Sequence, residues 1–212
     1  MAATISAYAA NAGVKLMLGD LDPQQSVRTW LRLRPPQLPA VTGWLVDGGR
    51  VFRPPAGITH AILDTPSGLN GLHLSRIVMA SNVVLVPVAA SAFDRDATAD
   101  CIKNLLQLPR IASGQCRLAC VGMRMHPGSA GENVTRKWAA ELNIPMLGVV
   151  RYAQAYVSCV DQGSSIFDKF SPEALTLQHD WKAVLGWLAT SFFGASAHNA
   201  MAHTLAQRGV VE

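Results

Sequence analysis

Three aspartates at the ends of apolar runs are the residues with the clearest chemistry. Residues 14–25 read VKLMLGDLDPQQ and residues 58–68 read ITHAILDTPSG. In a parallel α/β sheet a buried strand delivers its last residues to the edge where ligands bind. Strands ending in Asp20 and Asp22, and in Asp64, would therefore bring carboxylates to one crevice. Carboxylates there suit a hydrated Mg²⁺ held beside phosphates. The loop that normally cradles those phosphates, GxxxxGK[ST], occurs nowhere in the sequence. Other site chemistries find little support. His60, His73 and His126 lie in no HxxxH or HxxE spacing that would bind zinc. Ser67 and Ser91 are not in a GxSxG nucleophile context. Met123 and Met125 alternate along a strand and read as core filling.

The chain must supply elements to position these groups. Its 212 residues suggest one α/β domain over residues 1–193 and a weakly patterned tail over 194–212. Half of the residues are hydrophobic and 15% are charged. No uncharged run reaches the roughly 18–20 residues needed to span a bilayer. The first residues lack a basic leader, so a cytoplasmic location is expected, with nucleoid association possible. Cys101, Cys116, Cys120 and Cys159 form no CxxC pair and read as reduced, mostly buried thiols. The net charge of +4 permits contact with DNA and does not by itself demonstrate it.

Apolar strand-like and amphipathic helix-like segments alternate. Ile5–Ala12 ends a helix, Val14–Leu18 is a strand and Gln24–Leu33 a helix. Residues 35–57 break the pattern with Pro35, Pro36, Pro39, Pro54 and Pro55 and a tight turn at Asp47–Gly48–Gly49. Strands follow at Ile58–Leu63, Asn82–Pro87, Arg117–Met123 and Pro145–Val150. Helices follow at Leu72–Met79, Asp94–Leu108, Ser129–Leu142 and Ala153–Gln162. A last helix carries Trp181, Val184, Leu185 and Leu188. This alternation predicts a doubly wound, mostly parallel sheet with right-handed crossovers and helices on both faces.

The blocks GDLDPQQS, AILDTPSG, NVVLVPVAASAFD, VGMRM and PMLGVVRYAQAYVSCVDQGSSIFD stand in the order found in the ParA/MinD family of deviant Walker ATPases, which the chain resembles over about residues 4–170. The resemblance implies a P-loop NTPase-like fold whose first strand and phosphate loop are absent from this sequence, Thr4–Ala12 matching the helix that follows that loop. It implies ATP and Mg²⁺ as cofactors, Asp20 and Asp64 as residues that order the metal's water shell, and Asp22 as the residue orienting the attacking water. It implies that Thr65, Pro66 and Gly68 form a switch sensing the γ-phosphate, and that Arg124 and Arg151 border the base and ribose. For each residue a plainer reading stands alongside. Asp22–Pro23 can cap a helix, DTPSG can be a turn, and both arginines can be solvated surface groups.

By resemblance the chain would be an ATP-dependent dimerising switch for DNA or plasmid partitioning, or for intracellular positioning. It would be a homodimer that contacts nonspecific DNA and a partner protein stimulating hydrolysis, without a membrane. Without the phosphate loop the 212-residue chain is expected to be a poor ATPase, and a truncated start is the favoured explanation. A non-catalytic scaffold of the same fold is the main alternative. An ATP-dependent ligase of the cobyrinate-synthase type is a weaker one, because 212 residues leave little room for further substrate-binding elements.

Overall fold

A computed structural model describes residues 1–44 and 55–193. The proposed turn at Asp47–Gly48–Gly49 and the tail over 194–212 lie outside the described residues. The chain divides into two compact units. Of the described residues, the first comprises 1–44, 55–67, 153–179 and 193, and the second 68–152 and 180–192.

In the first unit, helix α1 (Ala2–Asn11) leads into strand β1 (Leu16–Asp20), helix α2 (Ser26–Leu33) and strand β2 (Thr42–Trp44). Strand β3 (His60–Asp64) completes a parallel sheet of order β2-β1-β3. β1, with two strand neighbours, is buried through Gly19, as its unbroken apolar run requires. β2 falls inside the segment that the prolines made look irregular. Three residues of Thr-Gly-Trp are too short to show a period, yet Met17, Leu18 and Gly19 pair with Thr42, Gly43 and Trp44. β3 starts at His60, two residues later than its apolar run suggests, and every residue of it is only half-buried. Among the described residues it has a strand partner on one side only.

Ala2, Ala7, Leu18, Val27 and Trp30 form the core between α1, α2 and β1. The later part of the chain locks onto it. Helix α7 (Gln154–Asp161) is followed by a short 3-10 turn at Ile166–Asp168 and helix α8 (Pro172–His179). Trp30 donates its Nε1–H to the carbonyl of Ser164 at 3.0 Å. The Arg34 guanidinium grips both carboxylate oxygens of Asp168, at 3.0 and 3.2 Å. Gly163 makes this docking possible. It holds φ +62, and a Cβ built there would lie 2.3 Å from the carbonyl carbon of Leu33 and 2.4 Å from the Arg34 nitrogen. Backbone cannot yield as a side-chain tip can. Gly163→Ala is expected to cost about 3 kcal/mol from strain and forced separation together. A urea-unfolding midpoint within error of wild type would refute this.

In the second unit, helix α3 (Gly71–Ala80) precedes strand β4 (Val83–Val88). Helix α4 (Ala92–Leu106) and a single-turn helix, α5 (Pro109–Ala112), lead to strand β5 (Arg117–Met123). Helix α6 (Ala130–Glu141) leads to strand β6 (Met146–Val150), and helix α9 (Lys182–Leu188) returns after the excursion into the first unit. The strands form a parallel sheet of order β4-β5-β6. Val86, Val88, Leu118 and Cys120 share a core with Val78, Ile102, Leu105 and Ala139 from the helices. Pro87 lies within β4 rather than at its exit, paired in register with Val121. Among the described residues β4 has a strand partner on one side only, the position in a sheet where proline is tolerated. Ser91 and Ser129 cap α4 and α6, each accepting the N–H three residues on. The four cysteines are free of disulfides, and burial raises the Cys120 thiol to about 11.

Candidate functional site

The pairing of β1 with β3 determines where the carboxylates lie. The strands are parallel and Asp20 is in register with Asp64, so both acids leave the sheet at the same end. The Leu21 N–H extends the ladder by donating to the Asp64 carbonyl at 2.9 Å. Asp22 follows two residues after Asp20.

The three acids are held differently. Asp20 Oδ1 accepts the Asp22 N–H at 3.0 Å, and Oδ2 accepts the Val27 and Arg28 N–H groups at 2.9 and 3.2 Å. Asp20 therefore caps α2 from six residues ahead of its first residue. Asp22 does not cap the helix. Its Oδ1 accepts the Gln24 N–H at 2.9 Å, while its carbonyl accepts that of Gln25. This is an Asx turn closing a tight turn, and it leaves Oδ2 of Asp22 without a hydrogen bond among the described residues. Gln25 ends the turn in the left-handed region at φ 51. Such a backbone costs a non-glycine residue of order 1 kcal/mol and is found where a loop is held in a set shape.

Asp64 is the electrostatically stressed member. Burial raises its pKa first. The nearby Met1 ammonium opposes that, and the carboxylates of Asp20 and Asp22 raise it further. Three acids that repel one another at the end of a sheet form a place where a cation is welcome. Among the described residues no three acidic, His or Cys groups close directly on a metal. Carboxylate oxygens are donors of the kind that suit Mg²⁺, which is often held through its water shell. Because the raised pKa gives the native state the extra proton, Asp64 contributes stability that declines as pH rises from the ordinary value of 3.8 through the raised one. Asp64→Asn should remove that decline. Its stability relative to wild type should grow with pH over that interval, read by urea titrations at a series of pH values. A constant difference would show that burial does not stress this carboxylate.

Thr65 and Pro66 follow β3 directly, Thr65 exposed and Pro66 half-buried. Gly68, at φ +74, begins the second unit, where the Asn70 side chain donates to its carbonyl at 3.1 Å. The two arginines also lie in the second unit. β5 and β6 pair with Met123 opposite Val150, so Arg124 and Arg151 follow them at the same sheet edge. Arg124 is exposed and left-handed at φ 57. Arg151 is clamped. Its guanidinium makes two 2.7 Å bonds to the carboxylate of Asp180, which is 2% exposed, and its N–H donates to the same group at 3.2 Å. Asp180 gave no sequence signal beyond an acid ahead of an apolar helix. Asp168 did give one, the Ser165-x-x-Asp168 spacing of a capping box, which the structure forms.

The two parallel sheets flanked by helices give an α/β fold, with acids at the ends of β1 and β3. Among solved structures the chain is similar to MinD in the MinC:MinD cell division protein complex of Aquifex aeolicus, with a TM-score of 0.60 and 14% identity over 87% of this chain and 88% of that one. It is also similar to a ParA family ATPase from Chlorobium tepidum TLS, with a TM-score of 0.56 and 10% identity over 86% and 91%. No family model matches the sequence, and no curated protein does. Among the described residues no helix is long and apolar enough to cross a membrane.

Proposed function

We propose that the chain is the body of an ATP-dependent dimerising switch of the ParA/MinD type, acting in DNA partitioning or intracellular positioning. The observation that carries this reading is the in-register pair Asp20 and Asp64, with Asp22 beside them. Asp20 and Asp64 would hold Mg²⁺ through its waters, and that ion supplies neutralisation of phosphate charge when bound. Asp22, with one carboxylate oxygen uncommitted, orients the attacking water. Thr65, Pro66 and Gly68 follow the Asp64 strand as the segment that responds to the γ-phosphate. Arg124 is available for the nucleotide or a second subunit. Arg151 acts through its clamp on Asp180, which sets the β6 exit.

The phosphate donors come, on this reading, from residues ahead of Met1. Topology supports that placement. Helix α2 carries the chain from β1 outward to β2, and α1 packs against α2 as well as against β1 and β3. Right-handed crossovers on one face progress in one direction. A strand feeding α1 would then enter along the unpartnered side of β3, beside Asp64. The competing reading is a scaffold of the same fold without nucleotide binding, favoured by the absence of GxxxxGK[ST] from the sequence. The MinD of Aquifex aeolicus forms a complex with MinC, so a protein partner is compatible with either reading.

Filter binding to nonspecific DNA, by a chain carrying a phosphate loop ahead of Met1, separates the two. The switch should need ATP to bind, and its affinity should fall steeply across a salt series as counterions are released. Binding that ignores ATP, or ignores salt, would favour the scaffold.

A further inference from the structure

Helix α3 is apolar on more sides than its core contact uses. Leu74 and Val78, 8% and 1% exposed, face the second unit's core, while Leu72 and Met79 are 75% and 57% exposed. Leu72 and Met79 are seven residues apart, so they lie on one stripe, two turns from each other. Arg76 lies between them on the same stripe, exposed and without an ion pair among the described residues. Isolated apolar side chains on a surface are ordinary. Two large ones bracketing a cation on a ten-residue helix form a pattern of anchors.

The stretch of sequence that carries the stripe is one-sided in charge. Residues 65–93 contain no Asp or Glu, and Arg76 is their one Lys or Arg. We infer that the outer face of α3 docks an amphipathic helix of a partner protein, one bearing two aliphatic side chains two turns apart and a carboxylate between them to meet Arg76. Three other occupants fit less well. A second copy of α3, packed about a twofold axis through the middle of the stripe, would set Arg76 against Arg76. A membrane surface selects helices with many Lys or Arg on the polar face, and α3 has one. Nucleic acid gains little from exposed Leu and Met beside a single cation.

The test uses the 212-residue chain and two fluorescein-labelled helical peptides with leucine at positions i and i+7, one carrying glutamate between them and the other lysine. Anisotropy titrations should show the glutamate peptide binding at least tenfold more tightly than the lysine peptide. Leu72→Ser and Met79→Ser should each weaken that binding about tenfold while leaving far-UV circular dichroism unchanged. Arg76→Glu should reverse the peptide preference. The inference is overturned if neither peptide binds at millimolar concentration, if both bind equally, or if Leu72→Ser and Met79→Ser have no effect. It is also overturned if those two variants abolish a self-association seen by sedimentation, or a flotation with anionic vesicles.

Discussion

Asp168→Ala should cost the protein about 3–5 kcal/mol, the range measured when one partner of a buried ion pair is removed. The Asp168 side chain is 1% exposed and that of Arg34 is 5% exposed. Besides the two bonds from Arg34, the carboxylate accepts the Asn11 side chain at 2.7 Å and the Ser165 N–H at 2.9 Å. Truncation would leave a guanidinium inside the first unit with no carboxylate, beside the carbonyls of Pro39 and Gly163 and the face of the Trp30 ring. The buried positive charge, and not the lost attraction, makes the loss large. Against a total stability of roughly 5–15 kcal/mol this is a substantial fraction. Asp168→Asn, which keeps the shape and one acceptor, should lose less. Urea unfolding followed by tryptophan fluorescence measures both variants, and a midpoint for Asp168→Ala equal to wild type would remove the clamp from any account of stability.

Asp22→Ala, made in a chain carrying the phosphate loop, should slow ATP turnover by roughly a hundredfold or more while ATP-driven dimerisation persists. The magnitude is that of losing a group which positions or activates an attacking water. The selectivity follows from the way each acid is held. Asp20 is engaged by three backbone N–H groups and supports α2, so its loss would damage the loop as well as the chemistry. Asp22 spends one oxygen on a local turn and has no hydrogen bond to the other among the described residues. Single-turnover hydrolysis beside light scattering with ATP separates the two effects. If turnover is unchanged, Asp22 is a turn residue; if dimerisation fails as well, it belongs to nucleotide binding.

Much of this arrangement is legible in the sequence, because apolar runs ending in aspartate carry both a strand and its polarity. LMLGD and HAILD become β1 and β3, and the parallel register brings Asp20 opposite Asp64 as anticipated. The helix limits around Asp94–Leu108 and Ser129–Leu142 also hold to within two residues at either end, and Leu108 serves as the N-cap of α5. β2 escaped because three residues among prolines present no period. The capping role of Asp20 escaped because capping is sought next to a helix, whereas this loop folds the carboxylate back over six positions. The clamps of Arg34 on Asp168 and Arg151 on Asp180 join residues 134 and 29 positions apart. No local pattern encodes a pairing of that kind, which depends on the fold bringing the two segments together.

That first separation matters during synthesis. The opening segment through Ser67 belongs to a unit whose next segment begins at Ala153. At roughly 5–20 residues per second, a ribosome takes about 5–20 s to pass from Ser67 to Asp168. Through that interval the Arg34 guanidinium has no carboxylate to meet and the Trp30 indole has no Ser164 carbonyl. The three strands of the second sheet, by contrast, are complete once Val150 has been made. Between Val150 and Asp168 the nascent chain therefore carries an unfinished amino-terminal segment ahead of a sheet whose described strands have all been made. The segment with the most to lose from a pause in translation between those points is the one that bears Asp20 and Asp64.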